Sequence, residues 1–175
     1  MGVICVGVAR HDERLSAMAT IEPLSDRRVR EFLRLARVGR LATSDRAGEP
    51  HNIPLCFWFD EDAHFYFVID QKPKRLTARG LKRMRNIEAN PQVALLIDHY
   101  EEQWTSLAYV LVHGEAERVE DPSEYMLALR NLRDKYPQYR TMTLSFESNP
   151  MVRIEALRVH VWGERFKLAR KPVDA

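Results

Sequence analysis

The chain has 175 residues, 45% of them hydrophobic and 30% charged, with a formal charge of +2 from 27 basic and 25 acidic residues. That length and composition fit one domain with a real core and exclude a mainly disordered chain. Seven Gly, nine Pro and two Cys (Cys5 and Cys56) exclude collagenous chains, disulfide scaffolds and Cys-rich zinc modules, and the near-neutral charge makes no global case for nucleic acid.

No apolar run approaches the roughly 18–20 residues that span a bilayer. The short apolar stretch Gly2 to Ala9 has no basic residue before it, so no secretory signal is read. Val6 stands where a myristoylation motif wants Ser or Thr. Residues 1–20 are expected to be an extension outside the fold, with Met18 a candidate natural start. Residues 21–170 are expected to form one domain and 171–175 a tail. Free thiols without an export signal point to the cytoplasm.

The first helix is predicted after Ser25 as N-cap, with Val29, Phe32, Leu33 and Ala36 on one face and Gly39 as its stop. A strand at Arg40 to Ser44, turn chemistry at Asp45 to Pro50, a strand at His51 to Phe59, a turn at Asp60 to Asp62 and a strand at His64 to Ile69 follow. Strands joined by turns this short make an antiparallel meander. Lys72 to Asn90 is predicted helical, with Leu76, Leu81, Met84 and Ile87 apolar and Asn90-Pro91 ending it. Gln92 to Asp98 reads as a central strand and Leu107 to Glu117 as the next. Asp121-Pro122-Ser123-Glu124 is a strong helix start, with Asp121 as cap and Glu124 placed to close a capping box. Tyr125, Leu129, Leu132 and Tyr136 line that helix up to Pro137. Val152 to Phe166 reads as the closing strand or strand pair. About six short strands with helices at three places favour a small closed barrel.

The sharpest chemical feature is basic. Lys72, Lys74, Arg75, Arg79, Lys82, Arg83 and Arg85 lie between Gln71 and Ile87 with no acid among them. The first three fall where a strand gives way to a helix, and clustered cations at a helix start are the ingredients of a phosphate site. The competing reading is a solvated basic helix face. His11, His51, His64, His99, His113 and His160 form no ligand set at recognisable spacing, so no metal is expected. No nucleophile elbow, P-loop or dinucleotide fingerprint is present. Cys56, inside an aromatic run, is expected to be a buried, inert thiol. Trp104, in a polar segment between apolar strands, is either a cap on the barrel end or a lid on a ligand, while Trp58 and Trp162 suit core or interface. A chain without its own acid–base set fits a protein whose chemistry comes from a bound cofactor.

Helix, Gly39-Arg40-Leu41-Ala42-Thr43, a turn ending Gly48-Glu49-Pro50 and His51-Asn52-Ile53-Pro54-Leu55 form an opening that resembles the pyridoxamine-phosphate-oxidase-like family. The stretch Lys82 to Leu95 is similar to that family's succession of basic helix, Asn-Pro and apolar strand. Asp70 to Arg75 and Asp98 to Trp104 resemble the branch assigned as probable coenzyme F420-dependent enzymes. The resemblance covers Ser25 to Trp162 and implies a mainly β fold with flanking helices, a six-stranded antiparallel split β-barrel. It implies a homodimer with a flavin-type cofactor at the subunit interface, a small-molecule substrate, and neither nucleic-acid nor membrane partners. By motif position it assigns phosphate contacts to Lys72, Lys74, Arg75, Lys82 and Arg83, the ring's flank to Asn52, Ile53 and Pro54, and an approaching aromatic to Trp104. The function it implies is F420-dependent hydride transfer to an electron-poor small molecule. The alternatives are FMN-dependent oxidation or reduction, or a non-catalytic flavin, deazaflavin or haem carrier. No catalytic residue is assigned. Tyr66, Tyr100 and Tyr109 are the candidate proton donors.

Overall fold

The computed structural model describes residues 21–70 and 80–167. Its elements run α1 (Arg27–Leu35), β1 (Gly39–Ser44), β2 (Pro50–Leu55), β3 (Trp58–Phe59), β4 (His64–Val68), α2 (Lys82–Ala89), β5 (Gln92–His99), β6 (Ala108–Arg118), α3 (Pro122–Lys135) and β7 (Met151–Gly163). Short 3-10 turns at Glu22–Ser25, Trp104–Ser106, Pro137–Arg140 and Glu164–Phe166 connect them.

The strands form one antiparallel sheet in the order β2-β1-β5-β6-β7-β4-β3. Its two edge strands, β2 and β3, are consecutive in the chain and joined only by Cys56 and Phe57. Two residues reach at most about 10 Å, so the sheet must curl until its edges approach. The result is a split β-barrel. Among the described residues, no helix is long and apolar enough to cross a membrane.

Alternation sets the two faces of the sheet. Leu41, Leu95, Ile97, Val110, Val112 and Ile154 point inward and are wholly buried, and α1 adds Val29, Phe32 and Leu33 to them. A second apolar cluster lies under α3, where Tyr125, Leu129 and Leu132 pack with Val68, Tyr139 and Met151.

The differences from the sequence reading have local causes. There are seven strands rather than six, because the run expected from His51 to Phe59 breaks at Cys56-Phe57. The ladder bonds lost there are replaced by Tyr136, whose hydroxyl accepts from Phe57 N at 3.1 Å and donates to Phe57 O at 2.9 Å. Asp26, not Ser25, caps α1, accepting from Arg28 N at 2.8 Å, since Pro23 helps wind residues through Ser25 into a 3-10 turn. Gly39 does not stop α1, which ends at Leu35. It opens β1, where a Cβ would meet Leu95 Cδ1 at 2.8 Å. The described part of the helix expected from Lys72 begins only at Lys82, and Leu81 is its N-cap. Glu124 closes no capping box. Its carboxylate accepts instead from Tyr66 at 3.1 Å and Arg153 at 3.0 Å.

Candidate functional site

The β1–β2 hairpin fixes which way the peptide groups of β2 point. Asp45 Oδ1 accepts from Ala47 N and Glu49 N, Gly48 takes a left-handed φ of 82°, and Asp45 N closes the hairpin on Glu49 O. With Asp45–Glu49 bonded and alternation along an antiparallel ladder, Pro50, Asn52 and Pro54 turn their peptide groups away from β1. β2 is an edge strand, so these groups face the open edge. Pro50 and Pro54 have no N–H. Asn52 is therefore the strand's single outward backbone donor, set among outward carbonyls. Such an edge repels pairing with another strand. It suits a heterocycle that presents one acceptor beside a donor.

At the hairpin end of this edge sits α2. Lys82 Nζ is ion-paired with Glu49, one residue before β2 begins. At ~3.3 Å per residue, about 10 Å of chain separates Glu49 from Asn52. Asn86 Nδ2 donates to Thr43 Oγ1 at 3.0 Å and Asn90 Nδ2 to Ser44 Oγ at 3.1 Å, so two amides pin the helix to β1. Met84 and Ile87 bury its underside.

The charge pattern of α2 opposes its own dipole. Its N-cap Leu81 gives no side-chain acceptor, and its first turn holds Lys82 and Arg83 but no acid. Glu88 stands near the negative end, and no base does. Each misplaced charge costs about 0.3–1 kcal/mol. Arg83 adds a buried Nε without a hydrogen-bond partner among the described residues, a feature it shares with Arg118 and Arg153 in the strands. Burial lowers the pKa of its guanidinium, and the nearby Asp70 carboxylate opposes that shift. Uncapped N–H groups, two cations and an unsatisfied buried donor converge at one helix start. These are the physical ingredients from which anion sites are built.

The structure brings Lys82 and Arg83 to the hairpin end of β2, beside Glu49, while Asn52, Ile53 and Pro54 follow along the same edge strand toward its far end, where Pro54 faces Arg40. Lys72, Lys74 and Arg75 lie outside the described residues. Trp104 does not join that corner within one chain. It stands 75% exposed in the turn between β5 and β6, at the opposite end of the sheet. Trp162 is also exposed, while Trp58 is half-buried and stacks on Tyr66. Cys56 is a half-buried free thiol at the strand break, not a member of a strand. Tyr66 belongs to the cluster under α3, with its hydroxyl between Asp60 and Glu124 at 3.2 and 3.1 Å. Burial, and then those two carboxylates, push its pKa up. Tyr100 is exposed with its hydroxyl 3.4 Å from Glu102, and Tyr109 stacks on Trp162 on the outer sheet face.

Two charged features escaped the sequence reading. Arg40, on the outer face between Pro54 and Leu96, is ion-paired with Asp98. Both belong to strand patterns, and only their register reveals the pair. Lys135 Nζ donates to Leu33 O at 2.9 Å and lies 3.8 Å from the centre of the Phe57 ring. Burial, and then Arg37, push its pKa down to about 7, against a smaller opposing effect of Cys56.

The seven strands close into a split barrel with the basic start of α2 at the hairpin end of its β2 edge. Comparison with known proteins identifies the family of this barrel. A family model described as pyridoxamine 5'-phosphate oxidase matches residues 25–162, and the chain belongs to that family. It is 26% identical over 133 residues to a 5a,11a-dehydrotetracycline/5a,11a-dehydrooxytetracycline reductase of Streptomyces rimosus, covering 75% of this chain and 78% of that protein. Among solved structures it is similar to a haem storage protein of Vibrio cholerae, with a TM-score of 0.60, 18% identity and coverage of 78% and 95%. It is also similar to an FAD-binding protein of Mesorhizobium loti, with a TM-score of 0.56, 24% identity and coverage of 75% and 89%. These structural likenesses show the fold.

Proposed function

We propose that this protein is an oxidoreductase that binds a phosphate-bearing flavin-type cofactor, coenzyme F420 in the first reading, and passes hydride to an electron-poor small molecule. The observation that carries the reading is the unsatisfied, buried Arg83 Nε at the uncapped start of α2, next to the single-donor edge of β2. The residues present fit such a group. Arg83, Lys82 and the first N–H groups of α2 would hold the phosphate. The Asn52 N–H and the outward carbonyls of Pro50, Asn52 and Pro54 would meet the ring's alternating acceptors and donor. When bound, a deazaflavin supplies two-electron hydride chemistry. The chain's own part is to anchor, orient and exclude water.

The tetracycline reductase relative supports reduction of a conjugated acceptor. The seven cations between Gln71 and Ile87 suit the longer anionic tail of F420. The FAD-binding neighbour favours a second reading, with FMN or another flavin on the same residues. Leu96 and Leu111, paired on the outer face of β5 and β6, support a homodimer built on that face. The cytoplasm is the compartment this reading assumes.

The test is equilibrium titration of purified protein with F420 and FMN side by side. Tighter F420 binding is expected. Tighter FMN binding would move the protein to the flavin reading, and failure to bind either would overturn both.

A further inference from the structure

Five of the eight exposed large apolar side chains among the described residues gather at one end of the sheet, opposite α2. Leu35 and Val38 precede β1, Tyr100 and Trp104 follow β5, and Trp162 closes β7. Antiparallel pairing of β1, β5, β6 and β7 brings these positions to one rim. Leu35 is 71% exposed and Trp104 75%, which the barrel's own stability does not require.

At this rim the end of α1, the end of β5 and the Glu164–Phe166 turn enclose a cleft of about 490 Å³. That volume lies in the range of small-molecule sites, roughly 300–1,000 Å³. One wall is apolar, made by Phe32, Leu35 and Ala36, and the other carries Asp98, His99 and Arg165. Most of the charges are already engaged. Asp98 is paired with Arg40, His99 with Glu101 at 3.2 Å, and Arg28 with Asp26 at 2.6 Å. Glu31 is exposed at the lip. Arg165 has no carboxylate partner among the described residues, and its guanidinium lies over the Phe32 ring, 5.4 Å from the centre. A cation stacked on an aromatic floor recognises a flat anion. A concave cleft suits a small molecule better than a flat protein surface does.

The cleft is tied to the β2 edge. Asp98 lines it, and Asp98's partner Arg40 sits in register with Pro54 on β2. β5 and β2 are two strand spacings apart, roughly 10 Å. We infer that this cleft is the acceptor subsite, taking a planar, largely apolar molecule that bears an anionic group for Arg165. The acceptor role rests on the hydride-transfer reading above. The binding claim does not.

The test uses two probes on cofactor-free protein: anilinonaphthalene sulfonate, a flat aromatic anion, and its uncharged phenylnaphthylamine analogue. Wild type, Arg165→Glu and Leu35→Asp are compared by fluorescence titration. Both altered side chains are at the surface, so melting temperatures should agree within the scatter expected of surface changes. Wild type should bind one sulfonate per chain saturably. Arg165→Glu should weaken the sulfonate about tenfold or more and spare the uncharged analogue. Leu35→Asp should weaken both. Equal sulfonate affinity in all three proteins would overturn the proposal. So would a change from dimer to monomer in sedimentation of Leu35→Asp, which would make the cleft a subunit contact. F420 and FMN titrations of the same samples keep the two readings apart. Unchanged cofactor affinity in the variants is expected, whereas a wild type that binds neither cofactor would sink the acceptor role and leave the probe result in place.

Discussion

Helices α2 and α3 are built on opposite principles. α3 obeys the rules for helix ends. Asp121 accepts from Ser123 N and Glu124 N, Pro122 takes the first position, Glu124 stands in the first turn, and Arg133 and Lys135 stand in the last. α2 has no side-chain cap, cations at its positive end and an acid near its negative end. Both are anchored by buried residues, and among the described residues each carries one buried polar atom without a partner, a cationic guanidinium nitrogen in α2 and the neutral Tyr125 hydroxyl in α3. Conflict between local preference and fold concentrates at functional sites. The contrast fits α3 as a support of the barrel and α2 as the anion-binding helix proposed above.

The largest expected effect on stability is therefore in α3. Leu132 is fully buried there, and Leu132→Ala should cost about 2–5 kcal/mol in denaturant unfolding. Arg83→Met should do the reverse for stability and the worst for binding. Removing a charge-assisted contact should weaken the phosphate-bearing cofactor by about 1.5–3 kcal/mol, roughly 10- to 100-fold. Thermal melting of the free protein should be unchanged or higher, because the unsatisfied Nε is gone. A drop of several degrees would show that Arg83 is structural.

The far end of α3 supplies a pH test. The Lys135 pKa in the fold, about 7, lies below the ordinary value of 10.5. Between those values the unfolded chain holds more protons than the folded one, so stability rises with pH across that window. Below about pH 7 the cost of the buried ammonium is present in full. Lys135→Met should flatten the rise and stabilise the protein by about 1–2 kcal/mol at pH 6, less the lost bond to Leu33 O. A slope identical to wild type would refute the assignment.

Two smaller effects sharpen the contrast. Asp121→Ala should cost about 1 kcal/mol through the lost cap, while Lys82→Gln at the start of α2 should change stability by less than about 0.5 kcal/mol. Equal losses would remove the distinction between the helices. Tyr125 is fully buried, and its hydroxyl has no hydrogen-bond partner among the described residues. Tyr125→Phe should leave stability unchanged or raise it by up to about 1 kcal/mol in the same unfolding assay.

What the sequence made legible follows the same division. α3 was readable because cap, proline, apolar period and terminal charges all agree. β5 was readable because a central strand is apolar on both faces. The break at Cys56-Phe57 was not, because the hydroxyl that replaces the ladder belongs to Tyr136, 79 positions away from Phe57. The basic cluster was visible as a composition, but its meaning depends on the missing cap and on the pairing of Lys82 with Glu49, 33 positions earlier. The outward donor of Asn52 was hidden too, since its direction depends on how the Asp45–Glu49 hairpin closes. The apolar rim could not be read at all. Leu35, Trp104 and Trp162 are far apart in the chain and meet only through strand register.

The most direct measurement compares wild type with Arg83→Met in titrations of F420 and of FMN, each beside its parent lacking phosphate. If the start of α2 is the anion site, wild type prefers the phosphorylated member of at least one pair by about tenfold or more, and Arg83→Met abolishes that preference while retaining the weaker affinity for the bare ring. A phosphate preference that survives unchanged in Arg83→Met would contradict the account.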